Sequence, residues 1–284
     1  MGTALVTGAT SGIGLEFCRQ LAAQGNNLVL VARDKERLSS AATNFRERYG
    51  VRVEVLRADL ADEEDLTRVC SRLSIDGSKQ MQTIDEGLSV RIADGANSVA
   101  KSQDREQSPP VTLLVNAAGF GLGKPFLDDT LEREDYALDV MVRAVMGTCH
   151  AAGRAMRERG RGAIINIGSV AADSGMGTYS AHKAWVRSFS EGLAEELRDS
   201  GVKVTVVVPG LVRTEFHQRV GADYGLAPSI AWSSPATVVG QSLRAAKEGK
   251  IVFVPTLRYK AISSAQRLLP SGLVKAVTRR LPHM

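Results

Sequence analysis

Hydrophobic residues along this chain fall into two alternating rhythms. Seven short runs, "TALVTG", "NLVLVA", "VEVLRAD", "VTLLVNAAG", "GAIINIGS", "VKVTVVVPG" and "KIVFVP", are almost continuously apolar and rich in β-branched residues. Between them apolar residues recur at helical spacing, as in the stripe Trp185, Phe189, Leu193 and Leu197. A strand without apolar/polar alternation is covered on both faces, and strands alternating with amphipathic helices build a parallel sheet. The pattern predicts an α/β protein: a doubly wound parallel sheet of about seven strands with helices on both faces, in one domain over residues 1–260.

In such Rossmann-like sheets ligands bind in the crevice beyond the carboxyl ends of the strands. The strand tails that carry the chemistry are therefore residues 8–14, 32–34, 59–60, 116–119, 169 and 209–214. One segment breaks the alternation. Residues 74–110 far exceed the roughly 2–6 residues that connect a helix to the next strand. Met81, Ile84, Leu88, Ile92 and Val99 lie at helical spacing there, followed by the polar "KSQDREQSPP", so an extra helix and loop are expected. An insert at this point emerges at the amino ends of the strands, away from the crevice, as a surface elaboration or a partner contact. Residues 211–234 follow the sixth strand on the crevice side and make the natural substrate lid.

Composition narrows the function. The 284 residues carry a formal charge of +5 with a pI near 9.2, yet Lys and Arg are scattered and aromatics make up only 5%, which does not suggest a nucleic-acid stacking platform. The excess suits an anionic ligand or a membrane surface. Cys18, Cys70 and Cys149 form no C-x-x-C pair and read as reduced, packed thiols of a cytoplasmic protein. No window approaches ~18 uninterrupted apolar residues, so no spanning helix is expected. The tail at 261–284 mixes Leu and Val with Arg and Lys; a solvated helix, a lid for a neighbouring subunit and a peripheral membrane contact all fit it. His217 has no metal-ligand partner at suitable spacing, and no metal site is expected.

"VTGATSGIG" places Gly8, Gly12 and Gly14, with Thr10, Ser11 and Ile13 between them, where the first strand turns into the first helix. Glycines permit the tight turn and let the backbone approach a pyrophosphate, whose charge meets the helix N–H groups. With Thr7 before it, this G-x3-G-x-G spacing resembles the short-chain dehydrogenase/reductase family. The likeness extends in order through Asp59-Leu60, "NAAG", Ser169, "TYSAHK" and "PGLVRT", over residues 3 to about 255. The resemblance implies that Asp59 and Leu60 flank an adenine and that Asn116, Ala117, Ala118 and Gly119 line the cofactor. It further implies that Pro209 and Gly210 turn the chain beside the nicotinamide, with Val212 offering its backbone and Thr214 its hydroxyl. Arg33 directly follows the second strand, and a planar guanidinium suits a 2′-phosphate, so the expected cofactor is NADP(H). Asp34, the rival ribose ligand, reads as the N-cap of the next helix.

Tyr179 and Lys183, at i and i+4 near the start of a helix, share one face. A free phenol titrates near 10, each unit of depression needs ~1.4 kcal/mol, and one cation at ~4 Å supplies about 4 kcal/mol at an effective dielectric of ~20. Lys183 can thus make Tyr179 a general acid/base, with Ser169 bonding the substrate oxygen. His182 reads as an incidental surface residue. Three features depart from the family pattern: Met141 stands where an asparagine usually relays protons, Ala117 where asparagine is frequent, and the Ser169–Tyr179 gap is shortened. Two readings result. One is an NADP(H)-dependent oxidoreductase for a small hydrophobic ketone or aldehyde and its alcohol. The other is an NADP(H)-binding sensor with little turnover. Phe120, Leu122, Phe126, Met176, Phe216, Tyr224, Leu226 and Trp232 are the candidate pocket residues. The resemblance also implies a homodimer or homotetramer packed through the Tyr179 helix and its predecessor; the Trp185 stripe fits that, or packing inside one subunit.

Overall fold

The computed structural model describes residues 2–75, 108–174, 177–216, 229–256 and 259–260. The 76–107 part of the predicted insert, Met176, His217, Tyr224, Leu226 and the 261–284 tail lie outside the described residues. Seven parallel strands form one sheet in the order β3-β2-β1-β4-β5-β6-β7. They are β1 (Thr3–Thr7), β2 (Asn27–Ala32), β3 (Val53–Arg57), β4 (Val111–Asn116), β5 (Gly162–Ile167), β6 (Val202–Val207) and β7 (Val252–Phe253), each within one of the seven apolar runs. The long helices are α1 (Gly12–Ala23), α2 (Lys35–Tyr49), α3 (Glu63–Leu73), α4 (Leu131–Leu138), α5 (Ala144–Glu158), α6 (Gly177–Glu196) and α7 (Pro235–Lys247). Among the described residues none is long and apolar enough to cross a membrane.

Alternate strand residues feed two cores, which is why the inner strands β1 and β2 are buried almost throughout, while the edge strand β3 exposes Val55 and Arg57. Val6, Leu30, Ile165 and Val207 pack with Phe17 of α1, Leu38 of α2 and Leu243 of α7 on one side. Leu5, Val29, Leu114 and Ile164 pack with Val69 of α3, Met156 of α5 and Val186 of α6 on the other. At about 1.5–3 kcal/mol for each large apolar side chain removed from water, these two layers dominate the stability. Trp185, Phe189 and Leu193, each partly buried, rest against the second core, with the two rings stacked at 4.7 Å.

One polar seam crosses the second layer. Asn116 and Asn166 are register neighbours on β4 and β5, and Asn116 Nδ2 donates to Asn166 Oδ1 at 3.0 Å. Asn166 Nδ2 donates to Ser190 Oγ of α6 at 2.9 Å, and Thr148 Oγ1 of α5 donates to Asn116 Oδ1 at 3.0 Å. All four residues are buried, so the chain of bonds fixes strands and helices in register.

The strand order reverses about β1, whose neighbours are β2 and β4. That reversal opens a crevice at the carboxyl ends of β1 and β4. Between α4 and α5 the helix widens into a π-turn over Asp139–Arg143, which carries the fully buried Met141 beside that crevice.

Candidate active site

The cleft begins where β1 enters α1. Gly8 and Gly12 adopt φ of 66° and 52°, conformations that suit glycine. A Cβ on Gly8 would stand 3.0 Å from the backbone of Ala117 and Ala118, and one on Gly14 would stand 2.3 Å from the Gly8 carbonyl oxygen. Thr7 Oγ1 accepts from the N–H groups of both Ala117 and Ala118 at 3.1 Å, which draws the β4 tail onto the glycine loop. Among the described residues no side chain caps α1 or α4, whereas Asp34, Asp62 and Ser234 cap α2, α3 and α7. The first-turn N–H groups of α1, with Gly12 and Ile13 at the cleft wall, are thus set to receive an anion. Gly14→Ala has no room to relax, because the obstruction is backbone. We expect it to lower stability by roughly 1–3 kcal/mol, read as a denaturant midpoint.

Arg33, Asp34, Asp59 and Leu60 line the far end of the cleft. Asp34 Oδ1 accepts from Arg37 N at 3.0 Å, so its carboxylate serves as the N-cap. Arg37, also on the cleft wall, pairs with Glu215 at 2.9 Å. Tyr136, which the sequence reading did not single out, reaches in from α4. Its hydroxyl donates to the Asp59 carboxylate at 3.0 Å and accepts from Arg33 Nη1.

Ser169, Tyr179 and Lys183 meet at the other end. Ser169 follows β5 and caps a short 3-10 turn, accepting from Ala171 N at 3.1 Å, which leaves its O–H proton for a donated bond. Arg187 of α6 pairs with Asp173 at 3.0 Å and with Glu191 at 3.1 Å, holding that turn against the helix that carries Tyr179. Lys183 is 6% exposed; its Nζ donates to the Ile167 carbonyl at 2.9 Å and stands 5.8 Å from the centre of the Tyr179 ring. Burial lowers its pKa to about 8. A Cβ on Gly119 would lie 3.5 Å from Lys183 Nζ and 3.6 Å from Met141 Sδ, so both side chains crowd the backbone of Gly119. His182, expected at the surface, is 7% exposed, because α6 turns that face into the protein; burial and then the Lys183 charge lower its pKa.

The rim comes from the segment after β6. Pro209, Gly210, Val212 and Thr214 line the cleft, and a Cβ on Gly12 would stand 3.3 Å from Thr214 Cβ, so this segment closes over the glycine loop. Tyr259, a second residue missed at the sequence level, lies across Gly210. A Cβ there would fall 2.0 Å from the tyrosine ring, whose hydroxyl accepts from Leu211 N at 3.0 Å and donates to Ala231 O at 2.8 Å. Of the described pocket candidates, Phe120 and Phe216 line the cleft, the latter 5.8 Å from the Tyr179 ring. Leu122 is buried beside it with Met141 and Tyr179, Phe126 is about half exposed outside the lining, and Trp232 packs under Arg213.

The cleft encloses about 880 Å³, and its wall holds Gly8, Thr10, Ser11, Gly12, Ile13, Arg33, Asp59, Leu60, Ala117, Ala118 and Gly119 as well as Ser169, Tyr179 and Lys183. Two residues expected at the cofactor sit behind that wall. Gly14 serves the approach of α1 to β1, and the Asn116 side chain is committed to the polar seam, since the last residue of β4 points it into the helix layer. The glycine loop, the α1 N-terminus, the Arg33 guanidinium and the Ser169, Tyr179 and Lys183 group thus share one cleft at the carboxyl edge of a doubly wound α/β sheet.

The chain belongs to the short-chain dehydrogenase family, whose model matches residues 2–85 and 89–225. It is 33% identical over 221 residues to the galactitol 2-dehydrogenase (L-tagatose-forming) of Cereibacter sphaeroides, covering 75% of this chain and 72% of that protein. A short-chain dehydrogenase from Sphingobium yanoikuyae solved in complex with NADPH superposes with a TM-score of 0.76 at 31% identity, over 94% of both chains. The bulky-bulky ketone specific alcohol dehydrogenase of Comamonas testosteroni superposes with a TM-score of 0.72 at 28% identity, over 94% of this chain and 92% of that one.

Proposed function

We propose that this protein is an NADP(H)-dependent oxidoreductase that interconverts a hydrophobic ketone or aldehyde and its alcohol. The observation that carries the reading is the placement of Ser169, Tyr179 and Lys183 at one end of the cleft that starts at the glycine loop and α1. The fit for a dinucleotide rests on Gly8, where a Cβ would meet backbone, and on the uncapped α1 terminus. When bound, the coenzyme supplies or accepts the hydride at its nicotinamide ring. Ser169 donates its O–H to the substrate oxygen, and Tyr179 delivers a proton to that oxygen in reduction and removes it in oxidation. Lys183 stabilises the phenolate left behind and, as in the family, holds the nicotinamide ribose. Phe216 beside Tyr179 and Phe120 further along the cleft wall favour an apolar substrate, in keeping with the ketone specificity in the name of the Comamonas relative. The sensor alternative has no need of three acid/base and donor groups in one cleft.

Arg33 carries the choice of coenzyme. Charge-assisted hydrogen bonds contribute about 1.5–3 kcal/mol each, so Arg33→Ala is expected to raise KM for NADPH roughly 10- to 100-fold and to leave KM for NADH nearly unchanged. The assay is NADPH or NADH oxidation across a panel of bulky and small carbonyl compounds. Equal use of both coenzymes by the parent protein would remove the NADP(H) assignment, and coenzyme binding without turnover of any carbonyl would return the sensor reading.

A further inference from the structure

Opposite charges face each other across the adenosine end of the cleft. Arg33 and Asp59 both line it, one following β2 and the other following β3. They stand a single hydroxyl apart, because Tyr136 OH donates to both Asp59 carboxylate oxygens at 3.0 Å while accepting from Arg33 Nη1. The Tyr136 ring also supports the guanidinium, with Arg33 Cζ 5.8 Å from its centre, and is itself buttressed by Phe120 at 5.6 Å. The second guanidinium at that end, Arg37, is already matched by a carboxylate, Glu215. Among the described residues Arg33 pairs with no carboxylate and spends one N–H on a neutral oxygen.

We propose that Tyr136 is a specificity-determining spacer: by satisfying Asp59 with a neutral hydroxyl, it prevents an Arg33–Asp59 ion pair and presents Arg33 to the 2′-phosphate of the coenzyme. This rests on the NADP(H) reading above. Asp59 accepts hydrogen bonds from the phenol at 3.0 Å and from Ala61 N at 3.1 Å, which satisfy the carboxylate without a cation, and a guanidinium with five N–H donors loses only one to the phenol. Without the hydroxyl, Arg33 swings onto Asp59, and a phosphate must then displace a carboxylate. Burial and the adjacent Asp59 raise the Tyr136 pKa, so the phenol remains a donor throughout the neutral range. As a positioning residue, Tyr136 acts through Arg33 and leaves the reacting atoms untouched.

The test uses the full chain and two probes that lack the nicotinamide, 2′,5′-ADP and 5′-AMP, titrated calorimetrically. Partly exposed ion pairs are weak, so the expected effect is moderate. Tyr136→Phe should weaken 2′,5′-ADP about three- to fivefold while 5′-AMP changes less than about twofold. The further substitution Asp59→Asn in that background should restore the preference for 2′,5′-ADP over 5′-AMP, because no carboxylate remains to capture Arg33. Equal weakening of both probes, or failure of the double variant to recover, would mean that the ring is merely structural. If Arg33→Ala lowers the preference and Tyr136→Phe does not, the spacer role falls while the coenzyme assignment stands; if Arg33→Ala leaves the preference intact, the assignment itself falls. Should Tyr136→Phe not fold, the same ratio measured on Asp59→Asn alone decides: a lowered preference contradicts the spacer, and an unchanged or raised one supports it.

Discussion

Tyr179→Phe should reduce kcat roughly 10³-fold with coenzyme affinity unchanged, since positioned proton transfer contributes about 10²–10⁴-fold. The substitution removes one oxygen and keeps the ring, which is 6% exposed and packs 5.8 Å from Phe216. Folding and the pocket wall therefore survive, and the loss isolates the proton. Single-turnover reduction of a reactive ketone, with coenzyme binding measured by fluorescence, separates the two effects. Retention of more than about a tenth of the parent kcat would show that another group delivers the proton.

Lys183→Met should cost activity and gain stability at neutral pH. The lysine is buried, and burial holds its pKa at about 8, below the 10.5 of an exposed lysine. Because the folded value is the lower one, the desolvation cost is fully present below pH 8 and fades as pH rises toward 10.5. The shift corresponds to a cost of about 3 kcal/mol, against which stands the bond to the Ile167 carbonyl, worth about 1 kcal/mol. The variant should therefore be more stable than the parent by about 1–2 kcal/mol at pH 7, with the advantage shrinking toward pH 10. Turnover should fall at least ~10²-fold, since the phenolate loses its cation. Denaturant midpoints of both proteins at pH 7 and pH 10 provide the check; a gap that widens as pH rises would contradict the burial argument. The trade resembles that of many sites where function is kept at the expense of stability.

The sheet was legible because parallel strands buried on both faces read as bare apolar runs, and each of the seven strands lies within one. The strand tails were legible for the same reason: once the strands are placed, topology brings their carboxyl ends to one crevice. Tyr136 and Tyr259 escaped notice because their partners are remote. Tyr136 meets Asp59 across 77 positions and Tyr259 meets Leu211 across 48, and neither residue lies in a strand tail. His182 was misplaced because one residue between Tyr179 and Lys183 gives no periodic signal of its own; the packing of α6 decides where it points. Asn116 belongs to the right motif, yet the alternation of side chains along β4 turns it toward Asn166 and away from the cleft.

The bond from Tyr259 to Leu211 and Ala231 makes position 259 a keystone for the cleft wall opposite α1. Deletion mapping of the basic extension must therefore begin beyond residue 260, since a shorter chain removes the stopper over Gly210 and mimics an active-site defect. Affinity tags or reporter fusions joined at the far end leave that stopper in place, so they are the safer choice for studying what the extension does.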